Sequence, residues 1–183
     1  VDVVVVGGGI TGLTTAYLLM RSGRKVALLE RRRCATVDTA HTTAHLTMVT
    51  DTRLTDLESR FGRTHAQAVW DAGRAAIAQI DEIASEHEID CTFKWVDGYL
   101  HARDGKATDA EAEQFRAEAQ LACELGFDAT FTTTVPIAGG PGIRFHDQAR
   151  IHPLRYLAGV ARAITDGGGE IFEGGPSPRL LPR

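Results

Sequence analysis

The stretch VVVVGGGITGLTTAYLL, residues 3–19, decides the fold, because it joins a run of valines to glycines and then to an apolar helical pattern. Val3–Val6 is a continuous β-branched run, which is typical of a strand buried on both faces of a parallel sheet. Ile10–Arg21 carries apolar residues near helical spacing, and Gly23 ends that helix. KVALLE, residues 25–30, then predicts a second buried strand. Strand, helix and strand in this order predict a βαβ unit in an α/β protein.

The glycines between the first strand and the helix form the pattern G-x-G-x-x-G at Gly7, Gly9 and Gly12. Gly7 permits a tight turn, and Gly9 lets a pyrophosphate approach the main chain because it has no Cβ. Gly12 allows the helix and the strand to pack closely. The helix that begins near Ile10 and Thr11 directs its free N–H groups and its positive dipole end at such a phosphate. The pattern therefore predicts a dinucleotide site.

An acidic residue completes this pattern. Glu30 ends the second predicted strand, where a carboxylate accepts hydrogen bonds from an adenosine ribose and disfavours the 2′-phosphate of NADP. Of the three arginines that follow, Arg31 is predicted to contact the adenine or phosphate side, and the other two to be solvated. These residues leave FAD and NAD open, and the alternative is a glycine-rich turn that binds nothing.

The rest of the chain predicts a domain with an insertion. Residues 53–140 are predicted to be a mixed α+β insertion between two pieces of one α/β domain, residues 1–52 and 141–175. Residues 176–183 contain three prolines and are predicted to be an irregular tail.

Local patterns predict the following elements: a short helix near Thr42–Leu46, a long helix over Thr64–His87, two short strands joined by a turn at Asp97–Gly98, a helix from the capping box Thr108-x-x-Glu111 to Leu125, strands within 128–136 and 142–152, a helix from Pro153 to Ile164, and a strand at 170–173.

Composition limits the classes of function. The chain has 183 residues, a net charge of −4 and 43% apolar residues, which gives no reason to expect nucleic acid or an anionic membrane as a partner. It contains no apolar run of about 20 residues and no signal-peptide pattern. The isolated Cys34, Cys91 and Cys123 argue against a disulfide framework or a zinc site and indicate a cytoplasmic protein. His41 and His45 are four residues apart, but no third ligand is nearby, so no metal site is predicted.

Three blocks of sequence resemble a known family. Residues 3–30 resemble the FAD-binding start of the D-amino-acid oxidase-like (DAO) superfamily of flavin oxidoreductases. HTTAHLT, residues 41–47, resembles the HTTAKxT signature of a branch that usually carries a C-terminal Rieske domain. Residues 144–174 are similar to that branch's NQAQFHPLKYLxGLA segment. Two departures are Ala40, where the branch usually has glycine, and His45, where it often has lysine.

The resemblance implies a Rossmann-like fold that binds FAD through the glycines and Glu30. It implies that residues 1–52 and 141–175 form this FAD-binding domain, which is incomplete, and that residues 53–140 are an inserted part of the substrate domain. It further implies that Thr42, Thr43 and Ala44 lie near the pyrophosphate and the flavin ring, where small hydroxyl side chains and main-chain N–H groups meet polar cofactor atoms. A threonine-rich helix cap is the alternative interpretation of these three residues.

The implied activity is hydride transfer from an amine or amino-acid-like small molecule to flavin N5, with catalytic residues that the sequence does not identify. The strands that close the family's FAD sheet and its Rieske cluster have no counterpart here, so the chain is expected to be the N-terminal portion of such an enzyme. Its expected partner in a full-length protein is a Rieske domain or another electron acceptor. The alternatives are a non-catalytic dinucleotide-binding remnant and an NAD-dependent dehydrogenase.

Overall fold

The computed structural model describes residues 1–36 and 41–174, so the predicted tail 176–183 lies outside the described residues. The chain divides into two compact units. Unit one comprises the described residues of Val1–Ala44, Asp81–Phe93 and Ile151–Arg183, and unit two comprises His45–Ile80 and Lys94–Arg150.

The elements in chain order are β1 (Val3–Val6), α1 (Ile10–Arg21), β2 (Val26–Glu30), β3 (His45–Leu46), α2 (Leu54–Phe61), α3 (Arg63–Glu86), β4 (Lys94–His101), α4 (Asp109–Glu124), β5 (Ala129–Thr132), β6 (Gly142–Arg150), α5 (Pro153–Asp166) and β7 (Glu170–Glu173).

Unit one is built on a parallel sheet with the strand order β1-β2-β7. The helix α1 joins β1 to β2 and packs against α5, so the predicted βαβ unit is confirmed. Parallel register places Val6 and Phe172 in one row of side chains on the same sheet face. Val4, Val6 and Phe172 are 50%, 60% and 51% exposed, whereas Leu28, on the opposite face, is fully buried. Among the described residues, one face of this sheet is therefore covered and the other is largely open, so the prediction that β1 is buried on both faces is wrong.

Unit two is built on an antiparallel sheet around β6. The strand β4 pairs along β6, while β5 pairs with the beginning of β6 and β3 with its end. Trp70 of α3 packs edge-on against Phe127 and Phe145 at ring-centroid distances of 5.3 and 5.6 Å. These rings lie in a buried core to which α2, α4, β5 and β6 also contribute. Among residues 1–36 and 41–174, the parallel sheet, the antiparallel sheet and the helices packed on them confirm the predicted α/β class with a mixed α+β portion.

Several local predictions agree with the structure. The capping box is present, because the Thr108 hydroxyl accepts from the Glu111 N–H and the Glu111 carboxyl accepts from the Thr108 N–H. Pro153 is the first residue of α5, as predicted, and His152 precedes it as the N-cap, accepting a 3.4 Å hydrogen bond from the Arg155 N–H.

Two further predictions are wrong. Residues near Thr42–Leu46 do not form a helix, because His45 and Leu46 pair with β6 as the short strand β3. Asp97–Gly98 is not a turn between two strands, since β4 continues through it with a bulge between Val96 and Gly98. Gly98 serves close packing instead: a Cβ there would lie 2.7 Å from the Cγ atom of Gln148. The helix α2 was not predicted at all.

The boundaries of the two units differ from the predicted domain boundaries. Residues 81–93 group with unit one, whereas residues 45–52 and 141–150 group with unit two. For residues 45–52 and 141–150 the physical reason is strand pairing, since β3 and β6 belong to the antiparallel sheet. The assignment of these units to cofactor and substrate binding stays a prediction. Across residues 1–36 and 41–174, no helix combines the length and apolar character needed to cross a membrane.

Candidate functional site

The turn between β1 and α1 has the backbone geometry that its glycines allow. Gly7 has a φ of +106°, a conformation that residues with a Cβ rarely adopt, and its N–H donates to the Leu29 carbonyl at 2.9 Å. A Cβ at Gly12 would lie 1.8 Å from the Gly7 carbonyl oxygen. The first turn of α1 thus packs directly on the turn that follows β1, and no larger residue fits at position 12.

The start of α1 presents main-chain donors. Gly9 is its N-cap residue, and the Gly9 carbonyl accepts the first intrahelical hydrogen bond, from the Leu13 N–H at 3.0 Å. The N–H groups of the first turn, including those of Ile10, Thr11 and Gly12, have no intrahelical acceptor by the geometry of any α-helix. Thr11 is exposed, and the first turn contains no acidic residue. This helix end is therefore suited to an anionic group.

Glu30 lies at this turn. One carboxyl oxygen of Glu30 accepts from the Gly8 N–H at 2.7 Å, and the other accepts from the Arg32 N–H at 2.8 Å. These donors, Arg32 first and then Gly8, hold the pKa of the Glu30 carboxyl below its usual range. The structure thus brings together the glycines and the acid that the sequence assigned to one site. Arg31 is exposed, and its charge also acts on Glu30.

Gly8 and Cys34 form part of the same turn, although the sequence pattern predicted no role there for either residue. A Cβ at Gly8 would lie 2.5 Å from the Cys34 sulfur, and the Gly8 carbonyl accepts from the Ala35 N–H at 2.8 Å. Burial raises the pKa of the Cys34 thiol to about 12, and the nearby Glu173 carboxyl acts in the same direction. Cys34 is therefore a packing residue beneath the turn. The sequence feature that could have predicted this close packing is the run of three glycines, Gly7–Gly9, which places a residue without a side chain at position 8 as well.

The loop residues Thr42, Thr43 and Ala44 lie just before β3. Both threonines are exposed. Ala44 has a φ of +63°, its N–H donates to the Thr42 hydroxyl at 3.3 Å, and its carbonyl accepts from the Ile151 N–H at 3.3 Å. These hydrogen bonds shape the loop itself. The contact of the three residues with a cofactor stays a prediction.

Comparison with known proteins identifies the family. The sequence model described as "DAO: FAD dependent oxidoreductase" matches residues 2–178. The chain is 35% identical over 174 residues to the putative Rieske 2Fe-2S iron-sulfur protein YhfW of Bacillus subtilis, covering 94% of this chain and 33% of that protein. It is 27% identical over 190 residues to the probable oxidoreductase OrdL of Haemophilus influenzae, covering 96% of this chain and 42% of OrdL.

Solved structures show the same fold. Glycine oxidase from Geobacillus kaustophilus superimposes with a TM-score of 0.72 at 17% identity, covering 94% of this chain and 46% of the oxidase. L-amino acid deaminase from Proteus myxofaciens gives a TM-score of 0.73 at 14% identity, covering 94% of this chain and 38% of the deaminase. The chain thus spans about a third to just under half of the length of these relatives.

Proposed function

The chain belongs to the DAO family of FAD-dependent oxidoreductases, and from this premise we propose that its unit one binds FAD at the turn between β1 and α1. The FAD pyrophosphate lies against the first-turn N–H groups of α1, and the Glu30 carboxyl accepts hydrogen bonds from the adenosine ribose. Thr42, Thr43 and Ala44 contribute further contacts through hydroxyl and main-chain groups.

The observation that carries this proposal is the hydrogen bond between Gly8 and Glu30. It joins two parts of the chain that are 22 residues apart, and it holds the acid beside the turn that leads into the first-turn N–H groups of α1. Open space beside the turn supports the proposal as well, because a Cβ built at Gly7 meets no described atom within 4 Å. The turn therefore combines a carboxylate, main-chain donors and open space.

In a longer protein that contains this chain, the proposed reaction is oxidation of an amine or amino-acid-like small molecule. Bound FAD supplies a hydride acceptor at flavin N5. The residues of unit one hold the diphosphate and ribose and so fix the cofactor. Support for this donor class comes from the glycine oxidase and L-amino acid deaminase that share the fold. For the electron acceptor we propose a Rieske domain or a separate protein, on the basis of the similarity to YhfW.

A second candidate is a dinucleotide-binding remnant without turnover. One observation favours it: the open face of the parallel sheet exposes Val4, Val6 and Phe172, although parallel sheets are normally covered on both faces. A protein in which this sheet face stays exposed retains the glycine turn, but it does not have elements that cover both faces of the sheet as in a complete cofactor-binding domain.

Titration of the purified chain with FAD and, separately, with NAD tests the proposal. We expect FAD, and not NAD, to raise the melting temperature and to show saturable quenching of its fluorescence. Glu30→Gln should weaken FAD binding about tenfold, because a neutral amide is a poorer acceptor for ribose hydroxyls. Glu170→Gln is the matched control, since Glu170 is an exposed acid on the same sheet, and it should bind FAD as the wild type does.

The outcomes separate the candidates. Stabilisation by NAD alone contradicts the assignment of FAD. FAD binding to a longer protein that contains this chain, without loss of the oxidised-flavin absorbance when amines and amino acids are added anaerobically, favours the remnant. Equal FAD affinity in the wild type and Glu30→Gln contradicts the role of Glu30.

A further inference from the structure

The loop that follows β2, residues 31–36, is fixed by contacts on two sides. On one side lies the glycine turn, where the Gly8 carbonyl accepts from the Ala35 N–H at 2.8 Å. The Cys34 sulfur occupies the place that a side chain at Gly8 would need. Ala35 has a φ of +62°, which is uncommon for a residue with a Cβ. The loop therefore turns back sharply onto the residues that lead into α1.

On the other side, the loop contacts the end of β7 and the residue after it. The Gly174 N–H donates to the Arg32 carbonyl at 2.8 Å, which extends the pairing between β7 and the chain that leaves β2. The Glu173 carboxyl accepts from the Cys34 N–H at 2.7 Å. One main-chain and one side-chain hydrogen bond thus connect this end of β7 to two positions of the loop.

Glu173 lies beside Glu30. The strands β2 and β7 pair in parallel with these two residues opposite each other, so both side chains stand on one sheet face at the carboxyl ends of their strands. Ligands of open α/β sheets bind at this edge. The two carboxylates repel each other, and each is stabilised by different main-chain donors. Gly8 and Arg32 donate to Glu30, whereas Cys34 donates to Glu173, so the two acids hold different parts of one loop.

The orientation of the Glu30 carboxyl depends on the position of this loop. One of its two donors, the Arg32 N–H, belongs to the loop. The bond from Cys34 to Glu173 limits the movement of the loop two residues beyond Arg32. A carboxyl group that is already held in place loses less conformational freedom when it binds a ligand. Glu173 can therefore affect a ribose contact of Glu30 without contacting the ribose.

We propose that Glu173 is a positioning residue of the flavin site: it fixes the loop 31–36 and thereby keeps the Glu30 carboxyl in place to accept from the 2′-hydroxyl of the adenosine ribose. This role rests on the FAD site proposed above. It requires a hydrogen-bond acceptor with the length of a glutamate side chain at position 173, and it does not require the negative charge. Glutamine keeps both the length and an acceptor oxygen, whereas aspartate is one methylene shorter and alanine has no acceptor.

Binding of FAD and of its analogue without the adenosine 2′-hydroxyl, measured on the 183-residue chain, tests this role. We expect the wild type to bind FAD about fivefold more tightly than the 2′-deoxy analogue, because the analogue lacks one hydrogen bond. Glu173→Ala and Glu173→Asp should weaken FAD binding about fivefold and bring this ratio to about one. Glu173→Gln should keep the FAD affinity and the ratio within about twofold of the wild type.

A double substitution tests whether Glu173 acts through Glu30. Residues that act through one another have non-additive effects, so Glu30→Gln combined with Glu173→Ala should bind FAD no more than about twofold more weakly than Glu30→Gln alone. Glu170→Ala is the matched control, because Glu170 is an exposed acid at the beginning of the same strand. It should leave the FAD affinity and the preference for the 2′-hydroxyl unchanged.

Hydrogen exchange of the Cys34 amide, measured without cofactor, reports on the loop contact itself. It should be at least about tenfold faster in Glu173→Ala than in the wild type and Glu173→Gln. Three results overturn the role of Glu173 while the FAD site stands: equal exchange rates in the wild type and Glu173→Ala, an unchanged preference for the 2′-hydroxyl in Glu173→Ala, or additive losses in the double variant. Absence of saturable FAD binding by the wild type instead overturns the proposed function, and the positioning role with it.

Discussion

Glu30 in unit one and Glu118 in unit two make the same kind of contact with different consequences. Each carboxyl group accepts a main-chain N–H hydrogen bond close to the start of a helix. For Glu30 the donor is Gly8, which is 22 residues away in the chain, and for Glu118 the donor is Leu54, which is 64 residues away. Glu118 is 1% exposed and has three donors, whereas Glu30 is partly exposed and has two. The comparison indicates that a fully buried carboxyl group of this kind stabilises the core, whereas a partly exposed one has oxygen atoms that a ligand can still contact.

The structural role of Glu118 is explained by the residue that precedes α2. Arg53 is the N-cap of this helix and provides no side-chain acceptor for the first-turn N–H groups. The acceptor comes from α4 instead, and this connection ties the two helices together. Gly9, the N-cap of α1, likewise provides no side-chain cap. The difference is that Glu30 contacts Gly8, which lies outside the helix, so the first-turn N–H groups of α1 stay available.

The largest effect expected from this comparison is that of Glu118→Ala. The substitution leaves the Leu54 and Thr55 N–H groups without their acceptor in a buried place, and we expect the free energy of unfolding to fall by about 3 kcal/mol. Urea unfolding measures this loss. Glu113→Ala, an exposed position on the same helix, is the control and should change the stability by less than about 0.5 kcal/mol. Equal midpoints for the two variants would contradict the structural role of Glu118.

An intermediate effect is expected at Gly12. Gly12→Ala places a methyl group 1.8 Å from the Gly7 carbonyl oxygen, so α1 must move away from the turn. We expect a loss of about 2 kcal/mol in the free energy of unfolding and at least a tenfold loss in FAD affinity. Thermal unfolding with and without FAD measures both quantities. Thr15→Ala, at an exposed site of α1, is the control and should preserve both the stability and the FAD affinity. A normal FAD affinity in Gly12→Ala would contradict the proposal that the turn binds the cofactor.

The smallest effect concerns pH and Glu30. Because the N–H groups of Arg32 and Gly8 lower the pKa of Glu30 from its ordinary 4.5, its contribution to stability is complete above about pH 5 and is lost as the pH falls through the lowered pKa. We expect Glu30→Gln to be less stable than the wild type by about 0.5 kcal/mol at pH 7, with the difference shrinking below pH 5. Urea midpoints of both proteins from pH 7 to pH 3 measure this. A constant difference over that range would show that the carboxylate charge plays no part.

The parts of the fold that local patterns specify were predictable. The valines of β1, the glycine turn and the apolar spacing of α1 lie next to one another in the chain, so the sequence alone indicated the βαβ unit and its bounds. The position of Glu30 was predictable as well, because the end of β2 must meet the turn after β1 in a parallel pair.

The parts that depend on distant contacts were not predictable. The helix α2 lacks a local capping signal, since its acceptor is Glu118 on another helix. Asp97–Gly98 has the composition of a hairpin turn, but the glycine is required by Gln148, which lies far along the chain. Gln148 itself carries no sign of burial in its own neighbourhood. Its burial results from the packing of segments that are far apart in the chain.

The bare side of the parallel sheet affects how this chain behaves in solution. Two molecules that stack their Val4, Val6 and Phe172 side chains remove these groups from water, so self-association is favoured as the concentration rises. Light scattering over a dilution series should reveal this association, and replacing Phe172 by serine should reduce it. Affinities for FAD therefore need to be measured in the dilute range in which a single chain is the dominant species.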